Sequence, residues 1–192
     1  MAEHGDGGDQ YAAVKALRSF GPHAVAAKPL LRQMLESPVQ QMRSIAAETL
    51  GRMKEAATDA VPDLVKSIQE HKAECRDDEL HICRYAIQAL GNIGPTAMGA
   101  KRDLIPLLSD ENLFLRAYAA VALIKIEPRA QEPLPVIAKL LTDPNVEVRR
   151  RIIWELKDAG RQAKPAESSV RAALRDRDEA VRQAASDLLK AL

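Results

Sequence analysis

Apolar residues recur along this chain at the three-and-four spacing of helices, grouped in pairs of short helices. The stretch from Asp143 to Leu174 shows one pair clearly. Val146, Val148, Ile152, Ile153, Leu156 and Ala159 form the stripe of a first helix; Ala166, Val170, Ala173 and Leu174 form that of a second. Asp143 is placed to cap the first helix, Pro144 suits its first turn, and Gly160 suits the turn between the two. Neither helix is long enough to bury its stripe alone, so each pair is expected to pack against copies of itself.

The copies follow a period of 33 residues, broken by one seven-residue insertion between Ile68 and Leu80. One column is Leu17, Leu50, Leu90, Leu123, Leu156 and Leu189; another is Phe20, Met53, Ile93, Ile126, Ala159 and Leu192. Small residues align at Ala24, Ala57, Ala97, Ala130 and Ala163, and second-helix positions at Leu31, Leu64, Leu104, Ile137 and Val170. Pro29, Pro62 and Pro135 share a column near the start of the second helix. The pattern predicts about eleven helices and no strands. Residues 1–8, rich in Gly and Asp, are expected to be disordered. Residues 9–192 are expected to form a single solenoid with repeats at about 9–36, 37–76, 77–109, 110–142 and 143–175, and a half repeat at 176–192.

Composition agrees with close-packed thin helices. Aromatic residues make up only 3% of the chain, against 46% hydrophobic in all. The net charge of +1 selects neither nucleic acid nor a basic partner by itself. No apolar run approaches membrane-spanning length, and the N-terminus has no apolar signal core. Two cysteines are too few for a disulfide framework, and a cytoplasmic location is the expectation.

The recurring pattern stands as MRSIAAETLGRM (42–53), YAIQALGNIGPTA (85–97), LRAYAAVALIKIEPRA (115–130), VRRRIIWELKDAG (148–160) and VRQAASDLLKAL (181–192). It resembles HEAT repeats, in particular the short kind found in phycobilisome lyases. The resemblance covers nearly everything after residue 9 and implies an all-α, α-α superhelix of HEAT/armadillo type: five helical hairpins and a terminal helix. The third copy departs from it, with Cys83 in the Arg column. The resemblance also implies a structural ladder between repeats. Asp110 and Arg116, Asp143 and Arg149, and Asp176 and Arg182 all stand six apart, with Arg43 in the same column.

Four clusters hold candidate chemistry. His71, Cys75, His81 and Cys83 offer zinc-type ligands beside the insertion, although their spacing fits no common zinc motif, and no metal or cofactor is expected. Arg149, Arg150 and Arg151, with Arg161, Lys164, Arg171, Arg175 and Arg177 nearby, could follow a nucleic-acid backbone, but seven acidic residues are interleaved. Tyr85, Tyr118, Val121 and Trp154 occupy columns expected to face outward on the first helices, as a contact patch. Lys139, Arg171 and Arg175, with Arg32, Glu36, Lys66 and Glu70, are expected on the face lined by the second helices. No phosphate loop, nucleophile elbow or paired catalytic histidine appears. The expected role is a non-catalytic scaffold that binds a protein partner. Nucleic-acid binding through Arg149–Arg177 and an accessory role in a lyase-type complex are the alternatives. The chain is expected to be a monomer or to associate end to end through its last helix.

Overall fold

The computed structural model describes residues 25–75 and 82–192. Every regular element among them is helical. The expected first helix of repeat one and the expected disorder of residues 1–8 lie outside the described residues. We label the α-helices α1 (Lys28–Met34), α2 (Gln40–Arg52), α3 (Val61–His71), α4 (Ile82–Ile93), α5 (Lys101–Leu104), α6 (Leu113–Ile126), α7 (Pro133–Leu141), α8 (Val146–Ala159), α9 (Glu167–Ala173) and α10 (Glu179–Ala191). The chain divides into two compact units, Met1–Ala100 and Lys101–Leu192, a cut that falls between the two helices of the third repeat.

In the first unit α2 packs against α1 and α4, and α3 packs against α4. In the second, α6 packs on α7 and α8, α8 on α7 and α10, and α9 on α10. The columns read from the sequence supply these contacts. Leu50, Leu90, Leu156, Leu31, Leu64, Leu104, Ile137 and Val170 are all fully buried. So are Ala57, Ala97 and Ala163, whose small side chains let 3-10 turns pass close to the helices. Burying a Leu or Val in this way contributes about 2 kcal/mol each relative to exposure. Val181, Ala184, Ala185 and Leu188 of α10 are covered by α8, α9 and the turn before α9. Leu189 of the same helix stays half-buried.

The helix starts correct one expectation. Asp143 does not cap α8. Its Oδ1 accepts from the Asn145 amide at 2.9 Å, and the Asn145 side chain caps the helix by accepting from Glu147 N at 2.9 Å. Asp110 and Asn112 do the same for α6, and Asp176 and Asp178 for α10. The entry is an Asx turn followed by a cap, so an acid two residues ahead of the cap folds the approach and the next Asn or Asp closes the helix end.

Helix exits share a column too. Lys54, Gly94 and Gly160 all have positive φ, at 54°, 78° and 54°. Glycine takes this conformation without strain, and lysine does not. The equivalent residue after α6 is Glu127, which is extended instead (φ −135°, ψ 91°) and is followed by Pro128.

The insertion holds a further correction. α3 continues to His71, a 3-10 turn follows over Lys72–Glu74, and Cys75 is bonded to Cys83 in α4 as a disulfide. Both sulfur ligands of the weak zinc candidate are thus consumed, and its fourth member, His81, lies outside the described residues. His71 Nδ1 lies 3.3 Å from Glu74. Among the described residues no helix is long and apolar enough to cross a membrane.

Three outcomes are expected in equilibrium unfolding. A Cβ on Gly51 would stand 2.7 Å from the Ala89 backbone, so Gly51→Ala loses about 1–3 kcal/mol. Lys54→Gly gains about 0.5–1 kcal/mol by removing the strained φ. Cys75→Ser with Cys83→Ser loses about 2–3 kcal/mol, the entropy of closing an eight-residue separation.

Candidate interaction surface

In α2, α6, α8 and α10 the column arginine is fixed by the loop that precedes its helix. Arg149 Nη1 donates to the Asp143 and Pro144 carbonyls at 2.8 and 3.1 Å. Arg182 does the same to Asp176 and Arg177, and Arg43 to Ser37 and Pro38. Arg116 Nε donates to the Asp110 carbonyl. The six-residue spacing therefore serves carbonyl groups left open at the loop, and the carboxylate named in the sequence pairing is not the acceptor.

Links between repeats are less regular than the column implies. Arg149 forms a two-pronged pair with Asp176, Nε to Oδ2 at 2.8 Å and Nη2 to Oδ1 at 3.0 Å. Both side chains are largely buried, with 12% and 7% exposed. Burial alone would push the Asp176 pKa up. The Arg149 hydrogen bond, the Asp178 amide and the Arg149 charge outweigh it and hold the carboxyl below its usual range. Arg43 reaches Glu74 instead, at 3.3 Å, and no Arg116–Asp143 ion pair forms among the described residues. Lys125–Asp158 at 3.2 Å and Lys157–Asp187 at 3.3 Å join neighbouring first helices farther along.

These links consume the densest basic run. Arg150 binds Asp178 at 2.7 Å and Glu147 at 3.0 Å. Arg151 lies 3.7 Å from Glu155 and stacks over Tyr118 and Phe114, 5.8 and 6.0 Å from their centroids. The three consecutive arginines are thus occupied within their own unit.

The outward patch is not assembled as expected. Tyr118 and Val121 are buried, because α6 carries apolar residues on all sides and is packed all round. Tyr85 is half-buried, with the Arg84 guanidinium 5.6 Å from its ring centre. Trp154 is 60% exposed on α8. Glu48, Gln88 and Asp187 stand in the column of Val121 and Trp154, but α6, apolar apart from Arg116 and Lys125, buries Val121.

The second helices of the first unit pair off their own charges. Lys28 binds Asp59 at 2.7 Å, Arg32 contacts Asp63, and Lys66 binds Glu36 at 2.6 Å. The second unit does so less completely. Arg171 is held by Glu167 at 2.7 Å, while Lys139 and Arg175 are exposed and form no side-chain pair with any described residue. Arg175 borders a groove of about 660 Å³ between α7 and α9, whose floor includes Leu141, Ala173 and the Arg149–Asp176 pair. The groove joins Ser168, Ser169 and Arg177 to Arg175, a grouping that column arithmetic did not show. The signal in the sequence is the arginine on each side of Asp176.

A family model of HEAT repeats matches residues 1–81 and 133–192. No curated protein matches the chain by sequence. Among solved structures, an engineered protein is 22% identical, with a TM-score of 0.58, over 97% of this chain and 91% of that one. The complex of CpcE and CpcF of phycocyanin lyase from Nostoc sp. PCC7120 is similar at 20% identity, with a TM-score of 0.60, over 92% of this chain and 72% of that one. At such identity the likeness shows the fold, an all-α superhelix of repeated hairpins.

The Arg149–Asp176 pair sets a pH dependence. A carboxyl held low in the folded state gives stability that is full above its unfolded pKa, about 3.9, and is lost as pH falls through the lower folded value. Asp176→Ala is expected to lose about 2 kcal/mol at pH 7, and less of that difference at pH 3, in urea titrations at both pH values.

Proposed function

This chain belongs to the HEAT-repeat family, and from that membership we propose that it is a non-catalytic scaffold that binds a protein partner. The observation that carries the reading is the family match over residues 1–81 and 133–192. A surface preset by packed hairpins supports it, since little ordering entropy is lost in the receptor on binding. The Nostoc neighbour, a complex of two proteins, supports a protein partner, and an accessory place in a lyase-type assembly is the second reading. Nucleic-acid binding through residues 149–177 is disfavoured, because Arg149 and Arg150 are held in ion pairs.

The test is crosslinking of the tagged full chain in its native cell extract, followed by mass spectrometry. One protein partner in stoichiometric yield is expected. The single tryptophan gives a second readout: Trp154 is expected to emit as a solvated indole in the free chain and to shift to shorter wavelength only if the partner covers α8. Recovery of nucleic acid instead, with affinity falling steeply in salt, would overturn the scaffold reading.

A further inference from the structure

We propose that the groove between α7 and α9 receives an extended acidic segment of the partner protein, its carboxylates held by Arg175 and Arg177. The inference rests on the scaffold reading and adds to it the chemistry of the occupant. The groove's volume of about 660 Å³ is in the range that takes a short peptide. Small residues on both walls, Ala138 on α7 and Ala172 on α9, keep it open. Leu141 offers an apolar floor, and the Ser168 and Ser169 hydroxyls lie along the rim without hydrogen-bond partners among the described residues.

Charge selects the ligand. Neither the Arg175 nor the Arg177 guanidinium is paired with a described residue, whereas Arg149 beside them is neutralised by Asp176. The Asp143 carboxylate at the edge is engaged by the Asn145 amide, and Glu167 near Ser168 is engaged by Lys164 and Arg171. A free guanidinium presents a planar fork that matches a carboxylate with two parallel hydrogen bonds. Two such forks at one end of a groove with an apolar floor suit a segment that alternates acidic and aliphatic side chains. A nucleic-acid backbone would need cations along its whole path, and here the unpaired guanidinium groups lining the groove are, among the described residues, only Arg175 and Arg177.

The test uses the full chain and a fluorescein-labelled hexapeptide of alternating Glu and Leu, read by fluorescence anisotropy. Saturable binding is expected. It should weaken at least tenfold in Arg175→Glu with Arg177→Glu, and at least tenfold when Gln replaces Glu in the peptide. Arg161→Glu, outside the groove, should leave it unchanged. The doubly reversed chain, shown by circular dichroism to keep its helix content, should bind an alternating Lys and Leu peptide in place of the acidic one. Absence of saturable binding, equal binding of the Gln peptide, equal loss in Arg161→Glu, or tighter binding of a six-nucleotide thymidine oligomer would each overturn the proposal. If the crosslinked partner is retained by the doubly reversed chain, the groove assignment falls and the scaffold reading stands. If the unaltered chain captures no protein partner, the scaffold reading itself falls.

Discussion

A helix pair with one apolar stripe per helix has too little surface to close a core, so it must borrow a neighbour's. That constraint explains both the period and its tolerance. Positions that meet the next helix, such as Leu50, Leu90 and Leu156, are fully buried and keep their type. Where backbones come closest the side chain disappears: Gly51 faces the Ala89 backbone, and a single methyl there would collide. Residue type is less uniform in the column of Trp154, which also holds Val121, buried in α6, and Asp187, paired with Lys157.

Polar groups finish what burial begins. Each first helix starts with open amides and follows a loop with open carbonyls, and short helices multiply such ends. At α6, α8 and α10 an Asx turn and a cap close the amides, and at these and at α2 the arginine six residues past the loop's first residue closes the carbonyls. Only then is the remaining hydrogen-bonding capacity of that arginine available for the next repeat. Arg149 uses it on Asp176 and Arg43 on Glu74, so the inter-repeat link is local and optional while the carbonyl contact recurs.

The same economy of charge shapes the surface. Several basic side chains in the second unit are held by carboxylates one repeat away or one turn away. Arg175 and Arg177 stand out by place, as two cations unpaired among the described residues, lining one groove beside the neutralised Arg149. The disulfide at the insertion does comparable work in the first unit. It ties the end of the lengthened second helix to α4, while Glu74 just before it binds Arg43.

Periodicity alone determined the helical hairpins, the buried columns and the proline-marked second helices, because a repeated burial requirement writes itself into residue type at fixed spacing. It also led to outward positions for Tyr118 and Val121, which α6 buries, since periodicity averages over copies and α6 is apolar on every side. Cap placement slipped by two residues because Asp-x-Asn presents two acceptors and only backbone geometry decides which closes the helix. The Cys75–Cys83 bond, the pairing of the arginine run and the meeting of Ser168 with Arg177 at one groove belonged to tertiary structure alone. They join residues whose spacing follows no repeat, and only the folded chain brings them within reach of each other.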